Sequence, residues 1–539
     1  MSMNPSGLEP IPEETRALMQ RLSPKGTMVS QLRDALGPIY SDEQFAHLFP
    51  TRGRAAEAPW RLALVTVLQA IEGLTDRQAA EYVRTRIDWL YALALPLDDP
   101  GFDYSILADF RQRLLTHEAQ DLLLAPILQL CRERGWLKAG GKHRTDATAV
   151  LAQVRSLNSL ESVGESMRAA LNAIAEQEPE WLVERVNPEW FDRYVHRFEL
   201  ARFPKAESQR VRLQAHTPRS LMSLPHVVIL RQVFAQQDPV SGHQVHWRDG
   251  PAVHNDERIV SPSDPEARAA RKRDTVWLGY KVHLTETCDQ QVDQPHLIVQ
   301  VETTAATIQD AQMLEPIAEQ VRANGLAPDE HLVDGGYTSG KQLVQQAALG
   351  TQIIGPVPAD ASWQARHHSG YAVQDFQLQW QQRTARCPQG VQSLTWVKRW
   401  DEHHEPMEVI RFPVRVCRAC PVREQCTRGA TGRALKLHEQ PVHHALVHRR
   451  AEQGTPAFLH RYTRRAGVEG TIAQAVRVSR LRRTPYVGLP KTHLHHVAIA
   501  AGLNLKRIAA HLSASSLGKH SRPARPKSPF ARLQPQRVA

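Results

Sequence analysis

The chain has 539 residues, 42% of them hydrophobic and 23% charged, with a formal net charge of +11. That length and composition fit a soluble protein of roughly two to four domains and exclude fibrous or wholly disordered classes. No apolar run is long enough to span a membrane, the N-terminal MSMNPSGLEPIPEE lacks the features of a signal peptide, and six cysteines do not make a disulfide framework, so a cytoplasmic, nucleoid-associated location is expected.

Residues 1–140 read as a helical domain. WRLALVTVLQAIEG, Trp60 to Gly73, is apolar enough for a buried helix, and Thr75 and Asp76 open a second periodic segment, DRQAAEYVRTRIDWLYALAL. Asp103 or Ser105 is positioned to cap a third helix, and DLLLAPILQLCRERG makes a fourth. A turn near Gly73–Thr75 suits a helix-turn-helix reader, with a plain helical bundle as the alternative. Around Asp146 the period changes to two, the signature of a strand, so 141–154 is expected to supply the first strand of an α/β core. Residues 155–270 form a mixed, partly helical insertion.

The core is expected to continue over 271–357. TVWLGYKVHLTET (275–287) and HLIVQVETT (296–304) read as an antiparallel hairpin. Thr307 and Asp310 have capping-box spacing, and Pro316 limits the helix that follows. A short strand then ends in Asp334, Ser339 caps a helix, and QIIGPV (352–357) closes the unit. Residues 358–458 form a second, Cys-rich insertion. Two helices fill 459–512, the second with an apolar stripe that makes its histidines structural, and 513–539 is a basic disordered tail.

Charge is concentrated at the C-terminus. From Arg461 onward there are sixteen Lys and Arg residues and one acidic residue, Glu469. Such a region suits a polyanion, and a lone carboxylate in it weakens phosphate binding unless it holds a metal. On one helix Tyr462, Arg465 and Glu469 fall at i, i+3 and i+7, on a common face. The bland reading is a solvated Glu469 paired with Arg465 one turn earlier. Asp146 within a strand and Asp334 at a strand end add two hard oxygen ligands, and the three carboxylates suit a pair of Mg²⁺ or Mn²⁺ ions. Separately, Cys387, Cys417, Cys420 and Cys426 have the composition and spacing of a tetrahedral structural Zn²⁺ site, with reduced, unliganded thiols as the alternative.

TDAT at 145–148, VDGGY at 333–337 and Tyr462-x2-Arg465-x3-Glu469 resemble the three catalytic segments of DDE transposases with a ribonuclease-H-like core. SLNSLESVGES, SPSDPEAR, KRDTVWLGYKVHLTETCD, ARCPQG and RAGVEGTIAQAVR resemble the bacterial insertion-sequence-1182 family, over roughly residues 30–512. The resemblance implies an α/β fold: a ribonuclease-H-like mixed sheet, an N-terminal helical DNA-binding domain and the two insertions. It implies Asp146, Asp334 and Glu469 as catalytic metal ligands, and Tyr462 and Arg465 as phosphate contacts. The partners it implies are double-stranded DNA, both terminal inverted repeats and target, and a second copy of the chain in the DNA complex. The alternatives are a nuclease that does not join strands and a non-catalytic DNA-binding regulator.

One position departs from the pattern. Related transposases often carry Lys seven residues after the Glu, and here Val476 stands there. Arg477 and Arg480 are the candidate replacements. On a regular helix they lie ~12 and ~16 Å along from Glu469, so Arg477 is expected to serve the reacting phosphate and Arg480 the flanking duplex. Gly467 and Gly470 cost roughly 1 kcal/mol each inside a helix, which implies close approach of its backbone to the sheet or to DNA.

Overall fold

The computed structural model describes residues 2–3, 9–154, 157, 159–196, 219–237, 240–241, 244–245, 257–272, 274–289, 294–366, 370–402 and 404–516. The N-terminal region is helical. Helix α1 (Pro59–Glu72) is apolar on all sides and buried on nearly all, and it stops where Gly73 turns left-handed at φ 67°. Thr75 and Gln78 then form a reciprocal capping box that opens α2 (Asp76–Thr85). The long periodic segment expected from Asp76 onward is broken. Arg86 is extended because its guanidinium is held between Glu72 at 2.6 Å and Asp88 at 2.7 Å, and a new helix starts at Ile87. Asp103 accepts from the Ser105 amide at 2.9 Å at the start of α3 (Ser105–Thr116).

Six strands make the central sheet. β1 (Lys142–Leu151) pairs antiparallel with β3 (Thr275–Thr287), and β3 pairs on its other edge with β2 (Arg268–Lys272) and β4 (Ile298–Ala305). On its opposite side β1 runs parallel to β5 (Glu330–Leu332), which runs parallel to β6 (Gln352–Ile354). The 275–304 hairpin therefore forms as expected. Along β1, β5 reaches only Lys142–Arg144, so β1 continues past it and Asp146 lies two residues beyond the last paired one.

Between β4 and β5 lies α6 (Asp310–Ala323), and its cap differs from expectation. Gln309, not Thr307, is the N-cap and forms the box with Gln312, while the Thr307 hydroxyl is buried without a partner. The helix runs through Pro316. Pro316 and Gln312 both lie on the exposed face, where water can satisfy the carbonyl that loses its amide donor. Ser339 caps α7 (Gly340–Ala348) as expected, accepting from the Gln342 amide at 3.2 Å.

Two smaller units sit apart from the central core. Helices α4 (Ser159–Gln177) and α5 (Pro225–Gln237) bury Met167, Leu171 and Ile174 against Leu221, Val227 and Leu230. In the Cys-rich region β7 (Thr395–Trp400), β8 (Pro406–Arg411) and β9 (Ala434–His438) form an antiparallel sheet. Trp396, Ile410, Phe412, Leu435 and Leu437 give it a core, although the segment between the cysteines is itself nearly devoid of apolar residues. Helix α8 (Gln440–Glu452) leads from it back to α7.

The chain then forms α9 (Pro456–Tyr462), a 3-10 turn over Thr463–Ala466, α10 (Gly467–Ser479) and α11 (Leu489–Ser516). α11 unites the molecule. Leu494, Val497, Ala501, Leu505 and Ile508 are buried in one continuous apolar cluster with α1 and the central sheet. Gly502 permits the close crossing with α1, since a Cβ there would lie 2.8 Å from Ile71 Cβ. His496 is buried and hydrogen-bonded to Thr303 at 2.8 Å, a structural role as expected. The Asn504 amide pairs with both the N–H and the C=O of Ile298 on β4, each at 2.8 Å. α11 continues to Ser516, past the boundary at 513 expected for the tail; residues 517–539 lie outside the described residues. Among the described residues, no helix is long and apolar enough to cross a membrane.

Candidate active site

Three distant segments bring carboxylates together around the end of β5. Asp146 projects from β1 and its Oδ1 accepts from the Ala147 amide at 2.8 Å. Asp334 lies two residues past the end of the parallel strand β5, not at its last residue as expected, and its Oδ1 accepts from the Gly336 amide at 2.8 Å, which fixes the Asp-Gly-Gly turn. Burial pushes the Asp146 carboxyl above the usual carboxylate range. The Asp334 charge adds to that, and the Ala147 amide and Arg465 offset only part of it.

Glu469 comes from α10 and is largely exposed. Arg465 joins it to the sheet. One guanidinium nitrogen of Arg465 lies 3.0 Å from Asp146 Oδ2 and the other 2.6 Å from Glu469 Oε1. The pairing of Glu469 with Arg465 one turn earlier therefore exists, but it is half of a bridge to Asp146.

Tyr462, Arg465 and Glu469 do gather, though not on one regular helix. The 3-10 turn separates α9 from α10, and its three-residue period stacks Arg465 over Tyr462, with the guanidinium 5.9 Å from the ring centroid. Burial raises the Tyr462 phenol; Arg465 counteracts this, while Asp334 and Asp146 reinforce it.

A buried network holds α10 in place. Glu286 on β3 is inaccessible to solvent and is the cross-strand partner of Arg144 on β1. Arg144 Nε donates to Glu286 Oε1 at 2.7 Å, while Thr471 of α10 and Arg507 of α11 each donate to Oε2 at 2.7 Å. Arg144 also donates to the Arg464 carbonyl at 2.8 Å, and its guanidinium lies directly under Gly467, where any Cβ would overlap it. This is the close approach to the sheet that Gly467 implied. Gly470 has no atom near the position a Cβ would take, and it does not approach the sheet.

Sequence reasoning missed Glu286, Arg144, Arg507 and Asp310. Asp310 looked like a helix-capping residue, yet a Cβ placed on Gly336 would lie 3.0 Å from Asp334 Oδ1 and 3.4 Å from Asp310 Oδ2. Two carboxylates thus converge over that glycine, with Lys281 Nζ 3.0 Å from Asp310 Oδ1. The available signal was the position of Asp310 at a helix start immediately after a hairpin.

The cations proposed to replace Lys at position 476 are placed differently from expectation. Arg477 is exposed on the last turn of α10. Arg480 is not on the helix face at all: it is the left-handed residue that ends α10, at φ 54°, with Leu481 buried behind it. Val476 packs against the central apolar cluster, where a lysine would lose its hydration.

Cys387, Cys417, Cys420 and Cys426 line one small cavity, partly buried and with no disulfide among them. Burial raises the Cys426 thiol; Arg433 counteracts this, and the other three thiols raise it further. Among the described residues, no group of three or more His, Cys, Asp or Glu side chains is arranged to hold a metal ion. At the carboxylates, Arg465 supplies the positive charge between Asp146 and Glu469.

Two family models match the chain. Residues 386–509 match a transposase DDE domain, a span that contains Tyr462, Arg465, Glu469 and the four cysteines but neither Asp146 nor Asp334. Residues 17–113 match a transposase domain (DUF772), which covers α1, α2 and most of α3. Neither the curated proteins nor the solved structures contain a match. A DDE segment and a second transposase segment on one chain support a DDE transposase.

Proposed function

We propose that the protein cleaves phosphodiester bonds at the ends of an insertion sequence and joins the freed 3′ ends to target DNA. The observation that carries this reading is the bridge from Asp146 to Glu469 through Arg465, with Asp334 near enough for its charge to act on Asp146: carboxylates far apart in sequence lie in one neighbourhood at the end of a mixed sheet. That placement, on a mixed sheet, is also what a ribonuclease-H-like core would need; the insertion-sequence-1182 resemblance rests on the sequence phrases alone.

The donor types suit hard divalent cations: Asp146 is partly desolvated, and Asp334 converges with Asp310 over Gly336, although with Arg465 between Asp146 and Glu469 the carboxylates are not gathered around a metal position. Asp146, Asp334 and Glu469 would hold two Mg²⁺ or Mn²⁺ ions, which when bound stabilise the attacking and leaving oxygens of an in-line displacement. Arg465 exchanges its carboxylate partners for a DNA phosphate, with the Tyr462 ring beneath it as a platform. Thr471 and Arg144 keep α10 seated while this exchange occurs. The N-terminal helices read the terminal inverted repeats, and two ends require two copies of the chain on DNA.

Purified protein incubated with Mg²⁺ and its native flanking DNA tests the reading. Asp146→Asn, Asp334→Asn and Glu469→Gln should each abolish cleavage and leave DNA binding intact, because the basic surface remains. Near-parental cleavage by any of the three removes that residue from the site.

A further inference from the structure

Past Asp146, β1 runs on through Ala147, Thr148 and Ala149 along the wall of a groove of ≈ 1260 Å³. The other walls come from β2, the start of β3 and the segment leading into α6. Its charged lining is one-sided. Arg271, Lys272, Lys281 and Arg482 face it against a single carboxylate among the described residues, Asp310, which Lys281 already holds. Arg482 is braced by a 2.8 Å bond to Thr148 Oγ1, and Lys281 by a 2.6 Å bond to the Ile308 carbonyl. Val276 in the same lining is 67% exposed, and the buried hydroxyl of Thr307, which also lines the groove, has no partner among the described residues.

The volume exceeds that of a small-molecule site, and the cations are spread along the groove instead of converging on one point. Distributed cations with an apolar wall suit a nucleic acid strand, whose phosphates and bases alternate along its length. The groove also meets the carboxylates, since Asp310 lines it and converges with Asp334 over Gly336. The carboxylates are thus flanked by two cationic surfaces, this groove and the Tyr462–Arg465 turn.

Joining brings two DNA segments to one set of carboxylates. We infer that this groove seats the target strand, while the transposon end lies against α9 and α10. The inference rests on the function proposed above.

Lys272→Glu and Val276→Glu test it at two exposed positions outside the carboxylate cluster. Two substrates separate the steps: an intact end reports cleavage, and a pre-cleaved end with supercoiled plasmid reports joining. Each variant should cleave at the parental rate and join about tenfold less at physiological salt, and Lys272→Glu should lower the salt slope of joining by about 1. Parental joining by both variants overturns the assignment. So does an equal fall in cleavage and joining, which would place the transposon end in the groove. A parent protein that neither cleaves nor joins would instead sink the transposase reading, before any variant is compared.

Discussion

Arg465 stands 3.0 Å from Asp146 Oδ2, where a divalent cation would otherwise balance that charge. Its second nitrogen is bound to Glu469, so one guanidinium bridges two carboxylates and offsets one of their two charges. Arginine keeps its proton at every relevant pH, so it leaves only when another anion takes it. On the proposed function, metal loading and DNA binding would be coupled, a phosphate drawing Arg465 away as the carboxylates become available.

Arg465→Ala should then bind Mn²⁺ more tightly than the parent in the absence of DNA, by roughly tenfold if the charge-assisted bonds contribute about 1.5 kcal/mol. Its cleavage should nevertheless fall, because the phosphate loses its partner. Calorimetric Mn²⁺ titration of DNA-free protein measures the first effect, and unchanged affinity would show that Arg465 does not compete for the carboxylates.

Gly467→Ala should be among the most damaging single changes in the C-terminal region. The new methyl group displaces Arg144 from beneath α10 and leaves Glu286 short of a partner in a site without water. Breaking a buried pair in this way costs about 3 kcal/mol. The milder Thr471→Val removes one bond to Glu286 and should lower cleavage while DNA binding is kept. Thr471→Ser should restore it, since the hydroxyl returns. Urea unfolding beside single-turnover cleavage separates the two effects, and full activity in Thr471→Val would mean that α10 needs no such anchor.

The four cysteines should hold about one zinc per chain. Burial, and after it the three neighbouring thiols, raise the proton affinity of Cys426, and a zinc ion would offset that by binding it as a thiolate. Elemental analysis of protein purified without added metal reads the stoichiometry. Zinc content unchanged in Cys417→Ser and Cys420→Ser would assign the metal elsewhere, and no zinc at all would leave a reduced thiol cluster.

Acid should destabilise the fold through its buried histidines. Burial lowers His143 and His283 to about 4 and His331 to about 3, so each is neutral in the fold and takes up a proton on unfolding. The stability they confer is complete above the ordinary histidine range near 6.5. It is lost as pH falls from there towards 4, at about 1.4 kcal/mol per pH unit for each. Urea midpoints from pH 7.5 to 5 should show this slope, and His331→Gln should reduce it by one histidine's share. A flat profile over that interval would mean that these side chains are hydrated.

Local signals in the sequence located β1, the 275–304 hairpin, the Ser339 cap and the α11 stripe, because each is set by period or by a residue three positions away. The three carboxylates proposed for the site were picked out by their motifs. Glu286 was not, since a Glu between threonines in a strand looks like a solvent-facing residue, and its partners Arg144, Thr471 and Arg507 lie far away in sequence. Arg480 shows the same limit in a helix. A place ~16 Å along from Glu469 holds only for a helix that continues, whereas α10 ends at Ser479 and Arg480 is its left-handed cap.

The Asn504 amide bonded to both backbone groups of Ile298 has a consequence for assembly. An edge strand exposes unpaired N–H and C=O groups on which another chain can build. A side-chain amide carries the same donor and acceptor as a peptide group, so Asn504 serves β4 as a single rung of a missing neighbour strand. With α11 lying over it, that edge is closed to β-augmentation at Ile298. Two copies brought together on DNA would have to meet through helices, loops or the DNA itself, and not by extending the sheet across that rung.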